Sequence, residues 1–122
     1  MKWQFKKIQQ ALLKKPCAIE DYPFGPDAAV FKVMGKMFAL VAWRDDILRI
    51  TLKCDPEEAQ DLRALFEAVK PGYHMNKDHW NTVTLDGSME KAQVLSMIDS
   101  SYALVTRGLK KADREKLKAA CS

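Results

Sequence analysis

Residues 28–53 read AAVFKVMGKMFALVAWRDDILRITLK, and their reading decides the fold. The segment AAVFKVM (28–34) is mostly apolar and predicts a strand, closed by a tight connection at Gly35-Lys36. MFALVAW (37–43) is apolar on both faces, the pattern of a central strand. Arg44-Asp45-Asp46 turns the chain, and ILRITLK (47–53) alternates cleanly. Leu48, Ile50 and Leu52 fall on one side, and Arg49, Thr51 and Lys53 on the other. Connections this short join antiparallel neighbours, so the three segments predict a meander.

Outward from the meander, helical spacing takes over. Phe5, Ile8 and Leu12 recur along 3–14 with Ala11 and Leu13 beside them, and lysines take the other face. Pro16 ends that helix, and the prolines and glycine of CAIEDYPFGPD predict a loop. On the other side Asp55 is placed to cap a helix, with Pro56 at its first position and Glu58 completing a capping-box-like pattern. Ala59, Leu62, Phe66 and Val69 form its stripe, and Pro71-Gly72 stops it.

The stretch PGYHMNKDHWNTVTLDGS (71–88) is the densest in functional groups. His74 to His79 lacks periodicity and predicts a loop or a single helical turn. WNTVTL (80–85) alternates as a fourth strand, with Val83 and Leu85 on one side and Trp80, Thr82 and Thr84 on the other. Asp86-Gly87 ends it, and Ser88 is expected to cap a helix running to Thr106 on the stripe Val94, Leu95, Ile98, Tyr102 and Val105. A short basic helix over 110–120 closes the chain. The expected fold is a single α+β domain over 1–122, in the order α-β-β-β-α-β-α-α, with an antiparallel sheet laid on helices. The other sheet face would show Arg49, Thr51, Lys53, Trp80, Thr82 and Thr84, with Lys32 beside them.

Composition narrows the function classes. No apolar run approaches the ~20 residues that span a bilayer, and no signal-peptide pattern opens the chain, so a cytoplasmic location without membrane contact is expected. Cys17, Cys54 and Cys121 form no CxxC pair and are expected as free thiols. The net charge of +4 is asymmetric. Residues 1–15 carry five lysines and no acid, and 107–122 carry six bases against two acids. Nine bases against fourteen acids lie between them. Basic ends suit an anionic partner, and they equally suit the solvated faces of terminal helices.

The 71–88 stretch resembles the MmcQ/YjbR family pattern P-x-x-H-x-N-K-x-H-W-x-T-V-x-L-D-G-S. Pro71, His74, Asn76, Lys77, His79, Trp80, Thr82, Val83, Leu85, Asp86, Gly87 and Ser88 match it. The similarity extends through DYPFGPDAAVFKVMGKMFAL upstream and LSMIDSSYALV downstream. The resemblance implies a CyaY-like (frataxin-like) fold, also compared with double-wing DNA-binding domains, and members are commonly labelled DNA-binding. Lys91 departs from the family's usual helix start.

Chemistry weighs the same way. His74 and His79 have the acid–base range, but no motif ties them to a nucleophile, so no catalytic residues are assigned. Their spacing is not the i, i+4 pair that aims two imidazoles at one ion. In the frataxin-like fold that the resemblance implies, iron is held through an acidic first helix; residues 1–15 here carry lysines and no acid, so neither a metal site nor a cofactor is expected. The candidate binding residues are His74, Asn76, Lys77, His79, Trp80, Lys36, Arg49 and Lys53, serving a monomeric, non-enzymatic module that binds DNA weakly and salt-sensitively. The alternative is a protein or small-ligand module using the same loop. A structural role stands beside both: Asp86-Gly87-Ser88 is a turn and cap, and Trp80, Val83 and Leu85 suit a core.

Overall fold

The computed structural model describes residues 3–44, 46–72 and 75–121. Its elements are α1 (Phe5–Leu13), β1 (Ala18–Asp21), β2 (Ala28–Val33), β3 (Lys36–Arg44), β4 (Ile47–Lys53), α2 (Pro56–Leu65), β5 (Val69–Pro71), β6 (Trp80–Thr84), α3 (Lys91–Arg107) and α4 (Lys111–Cys121). The strands form one antiparallel sheet in the order β1-β2-β3-β4-β6-β5. The α+β class and the β2-β3-β4 meander stand as expected.

Two strands are additional. The segment expected as a loop contains β1, which pairs with β2 from Ala18 opposite Val33 to Asp21 opposite Val30. Its Ile19 is 56% exposed, so cross-strand pairing rather than apolar burial makes this strand. The second helix ends at Leu65, not near Pro71, because Phe66 turns extended (φ −126°, ψ 120°). Val69 is thereby delivered opposite Val83 as the start of β5. Pro71 sits on this edge strand, where a missing N–H costs nothing.

Several boundaries move for local reasons. The β2–β3 turn is Met34-Gly35, with φ of 49° and 78°, one residue earlier than expected. Two successive positive φ values match the twist of a two-residue hairpin. Asp55 does precede α2 in extended geometry, but its side chain makes no cap bond. Ser88 does not cap the third helix: its N–H donates to Asp86 Oδ1 at 2.9 Å, and α3 begins at Lys91 after Glu90. The intervening residues carry Met89 into the core.

The helices cover one sheet face. Ile8 and Leu12 of α1 and Val94 and Ile98 of α3 meet Phe31, Val41, Ile50, Leu52 and Val83 of the sheet in one buried cluster. Burying each such side chain contributes roughly 1.5–3 kcal/mol. One irregularity is stitched by a polar residue. The β2–β3 register slips between Phe31 and Lys32, leaving Phe38 as an extra residue on β3. Buried Ser101 of α3 donates to the Phe38 carbonyl at 2.6 Å and accepts from the Lys53 N–H at 2.8 Å.

Cys17 is disulfide-bonded, which corrects the expectation of free thiols at that position. Sequence separation carries no information on which cysteines meet in space, and cysteine usage therefore no longer argues for a reducing compartment. Cys54 is free and buried. Among the described residues no helix is long and apolar enough to cross a membrane.

Candidate nucleic-acid interface

Register assigns the side chains of the face opposite the helices. One row across the strands runs Asp21, Val30, Leu40, Thr51, Thr82, Lys70. Towards one end of the sheet, Ile19 faces Lys32, Lys32 faces Met37, and Lys53 faces Trp80. Towards the other end, Ala28 faces Ala42, Ala42 faces Arg49, and Arg49 faces Thr84. The expected set of Arg49, Thr51, Lys53, Trp80, Thr82, Thr84 and Lys32 therefore does share one face. It is a packed platform rather than a brush of extended side chains. Thr51 is buried, its hydroxyl 2.8 Å from that of Thr82, and Trp80, Lys53 and Arg49 are half-buried. Lys32 is paired with Asp21 at 3.2 Å. That contact, then the Tyr22 N–H, holds the Asp21 carboxyl below its ordinary range.

The β5–β6 loop closes the end of the sheet where Lys53 and Trp80 lie. Lys36 begins β3 at the same end, and Lys77 and His79 are exposed on the loop. Arg49 shares their face but lies four residues along β4, about 13 Å away. Lys53, Lys77, His79 and Trp80 are thus gathered at this end, and Arg49 stands apart; Lys36 lies directly opposite core residue Val33, so it springs from the helix-covered side and not from the open face. His74 lies outside the described residues.

Asn76 is committed to the loop itself. Its Oδ1 accepts from the Asp78 N–H at 2.9 Å, and its carbonyl accepts from the His79 N–H at 3.2 Å. This is the local turn that Asn side chains favour. The His79 carbonyl accepts from the Cys54 N–H at 2.8 Å, and the Gly72 N–H donates to the Trp80 carbonyl at 2.8 Å. Gly72 is required here, because a Cβ would stand 2.8 Å from the Trp80 Cβ.

Two residues that sequence reasoning passed over hold this loop. Arg63 of α2 donates through Nε to Asn81 Oδ1 at 2.6 Å, and through Nη2 to the carbonyls of Lys77 and, at 3.4 Å, Trp80. Asn81, 1% exposed, donates to the Ala59 carbonyl at 3.2 Å. Both carried a signal. Asn81 alternates onto the inward side with Val83, an unusual place for a residue depleted in strands. Arg63 follows Ala59 by four residues, on the buried stripe of α2.

The electrostatics at this end are mixed. Glu57 and Glu58 lie in the first turn of α2. Cys54, directly before that helix, has its thiol pushed up to about 11, by burial first and then by the Glu58 and Asp55 charges, against a smaller opposing effect of Arg63. A helix N-terminus can lower a thiol pKa, but here burial wins, so Cys54 is a packed thiol rather than a nucleophile. Among the described residues no three His, Cys, Asp or Glu side chains cluster to hold a metal ion.

A six-stranded antiparallel sheet, helices on one face, a cationic and aromatic platform on the other and a pinned β5–β6 loop define a small α+β domain with a single open sheet face. The sequence matches the YjbR family over residues 13–104. It is 37% identical over 97 residues to the uncharacterized protein YbdF of Escherichia coli O157:H7, covering 80% of each chain. It is 35% identical over 96 residues to the uncharacterized protein YjbR of Escherichia coli K12, covering 79% of this chain and 81% of that one. The crystal structure of Deinococcus radiodurans protein DR2400, of family domain DUF419, superposes with a TM-score of 0.85 at 39% identity, over 93% of this chain and 86% of that chain. A crystal structure from Pseudomonas syringae superposes with a TM-score of 0.74 at 31% identity, over 84% and 98%. The chain belongs to the YjbR family.

Proposed function

We propose that this chain is a non-enzymatic nucleic-acid-binding module that meets DNA with its open sheet face and the His74–Trp80 loop. The observation supporting this reading is the placing of Lys53 and Trp80 side by side at one end of a face that no described helix covers, beside the loop that carries exposed Lys77. Lysines contact phosphates without regard to sequence, and an aromatic on a sheet platform stacks on an unpaired base. Trp80 is half-buried, so it is not sealed off from a ligand.

The reading also sets the strength of the contact. Two lysines and the more distant Arg49 allow few phosphate contacts, each adding about −0.9 to the log–log salt slope on duplex DNA. Affinity is therefore modest and falls steeply with salt.

The test is fluorescence anisotropy with a labelled ~25-bp duplex and a matching single strand between ~50 and 200 mM salt. Linear log–log weakening is expected, with Lys77→Ala lowering the slope by about one. Trp80→Ala is expected to weaken the single strand more than the duplex. Absence of binding at the lowest salt removes DNA as the partner. The loop then stands as a protein or small-ligand site, a reading that its anchoring by Arg63 suits equally.

A further inference from the structure

A basic groove lies away from the sheet platform, between α3 and α4. Arg107 from the end of α3 and Lys111, Arg114 and Lys118 from α4 surround it, with Glu115 the one acid among the described residues of its wall. Lys111, Arg114 and Lys118 follow at i, i+3 and i+7, which puts them along one side of a helix over about 10 Å. The floor between the cations is apolar. Ala103 is exposed there, and half-buried Leu117 forms part of the lining. Thr106 contributes a methyl, because its hydroxyl is already bonded to the Tyr102 carbonyl at 2.9 Å. The groove has a volume of about 530 Å³ and is shallow and broadly open to solvent. The family match ends at residue 104, so most of this lining lies outside it.

An apolar floor between cationic walls has a specific complement. A bare polyanion would satisfy the cations and leave the floor wetted. An acidic amphipathic helix satisfies both: its apolar stripe covers Ala103, Thr106 and Leu117, and its carboxylates meet Arg107 and Arg114. Arginine suits such carboxylates because its planar fork pairs with them in bidentate fashion. Laying a helix into a groove is a recurrent recognition mode, and an open-sided groove admits a segment longer than itself.

We propose that the α3–α4 groove is a docking site for an acidic amphipathic helix of a partner protein. This site goes beyond the proposed DNA contact and does not depend on it.

The probe is a labelled ~14-residue peptide with glutamates on one helical face and leucines on the other, a length at which helices are marginal in water and gain order on docking. Its control has the same composition with the stripe scrambled. The striped peptide is expected to bind the whole chain more tightly than the scrambled one. Arg107→Gln with Arg114→Gln should weaken it about tenfold, as loss of paired interface arginines does. Ala103→Gln, an uncharged change at an exposed helical position, should weaken the striped peptide by blocking the floor and leave the DNA titration unchanged. Equal binding of both peptides, indifferent to Ala103→Gln, overturns the proposal in favour of a polyanion contact. Concentration-dependent self-association in sedimentation velocity, lost in Arg114→Gln, overturns it in favour of a second copy of this chain. Failure of the striped peptide to bind at all also overturns it, whatever the DNA titration shows.

Discussion

Arg63 and Asn81 lie on different elements, one on α2 and one on β6, and are joined by a 2.6 Å hydrogen bond. Asn81 passes that connection on to the Ala59 carbonyl, and Arg63 passes it to the carbonyls of Lys77 and Trp80. The loop bearing the candidate site is therefore held from beneath, by the helix it follows in sequence.

Asn81→Ala should disturb both ends of this arrangement. It leaves the Ala59 carbonyl and Arg63 Nε without the partner, at a cost of about 1–3 kcal/mol. The expected result is a lower urea midpoint with an unchanged denaturant slope. Amide exchange at Cys54 and His79, whose backbones meet at the loop, should quicken. A midpoint shift within error would show that the pair is incidental to stability.

Ser101→Ala tests the stitch across the bulge. The hydroxyl serves the Phe38 carbonyl and the Lys53 N–H at once, and Ser101 is completely buried. Removing it strands two backbone groups in a dry site, at about 1–3 kcal/mol. Because Lys53 belongs to the platform, the substitution should also weaken DNA binding at unchanged salt slope. Unaltered thermal stability would count against the bridging role.

Cys54 predicts an alkaline weakness. Its folded thiol sits at about 11, above an ordinary value of 9.0. The unfolded chain loses that proton first as pH rises, so it holds fewer protons than the folded chain across this window. Stability is then fully present below about pH 9 and declines between about 9 and 11. Urea midpoints of the parent and Cys54→Ala, compared across that window, isolate the thiol from the rest of the chain. Parallel pH curves for the two proteins would refute the assignment.

The elements legible in the sequence were those whose pattern is self-sufficient. The meander over 28–53 alternates or runs apolar for long enough to declare itself, and the stripe of α1 is plain. β1 and β5 were not legible, because both are short edge strands. Ala18–Asp21 mixes one exposed isoleucine with two acids, and Val69–Pro71 ends in a proline. Each becomes a strand only when a neighbour offers a ladder. The end of α2 was misplaced for the same reason: Phe66 and Val69 continue a helical stripe, and pairing with β6 overrides it. At the site, the residues facing outward were legible from alternation. Their supports, Arg63, Asn81 and Ser101, were not, since a polar side chain in a core is explained only by partners distant in sequence.

The order of the sheet also bears on how the chain folds. β1, β2 and β3 each pair with the strand next in sequence, through short connections. The single exception is β4 with β6, which must wait for α2 and β5 to close the intervening loop. Loop-closure entropy then favours the meander as the nucleus, with β5, β6 and their loop arriving late. Val41→Ala should accordingly slow refolding, whereas Val83→Ala should mainly speed unfolding. The reverse partition in stopped-flow measurements would place the nucleus elsewhere. On this ordering the candidate interface is the last part of the molecule to form and the first to open, so a ligand bound there would act chiefly as a brake on unfolding.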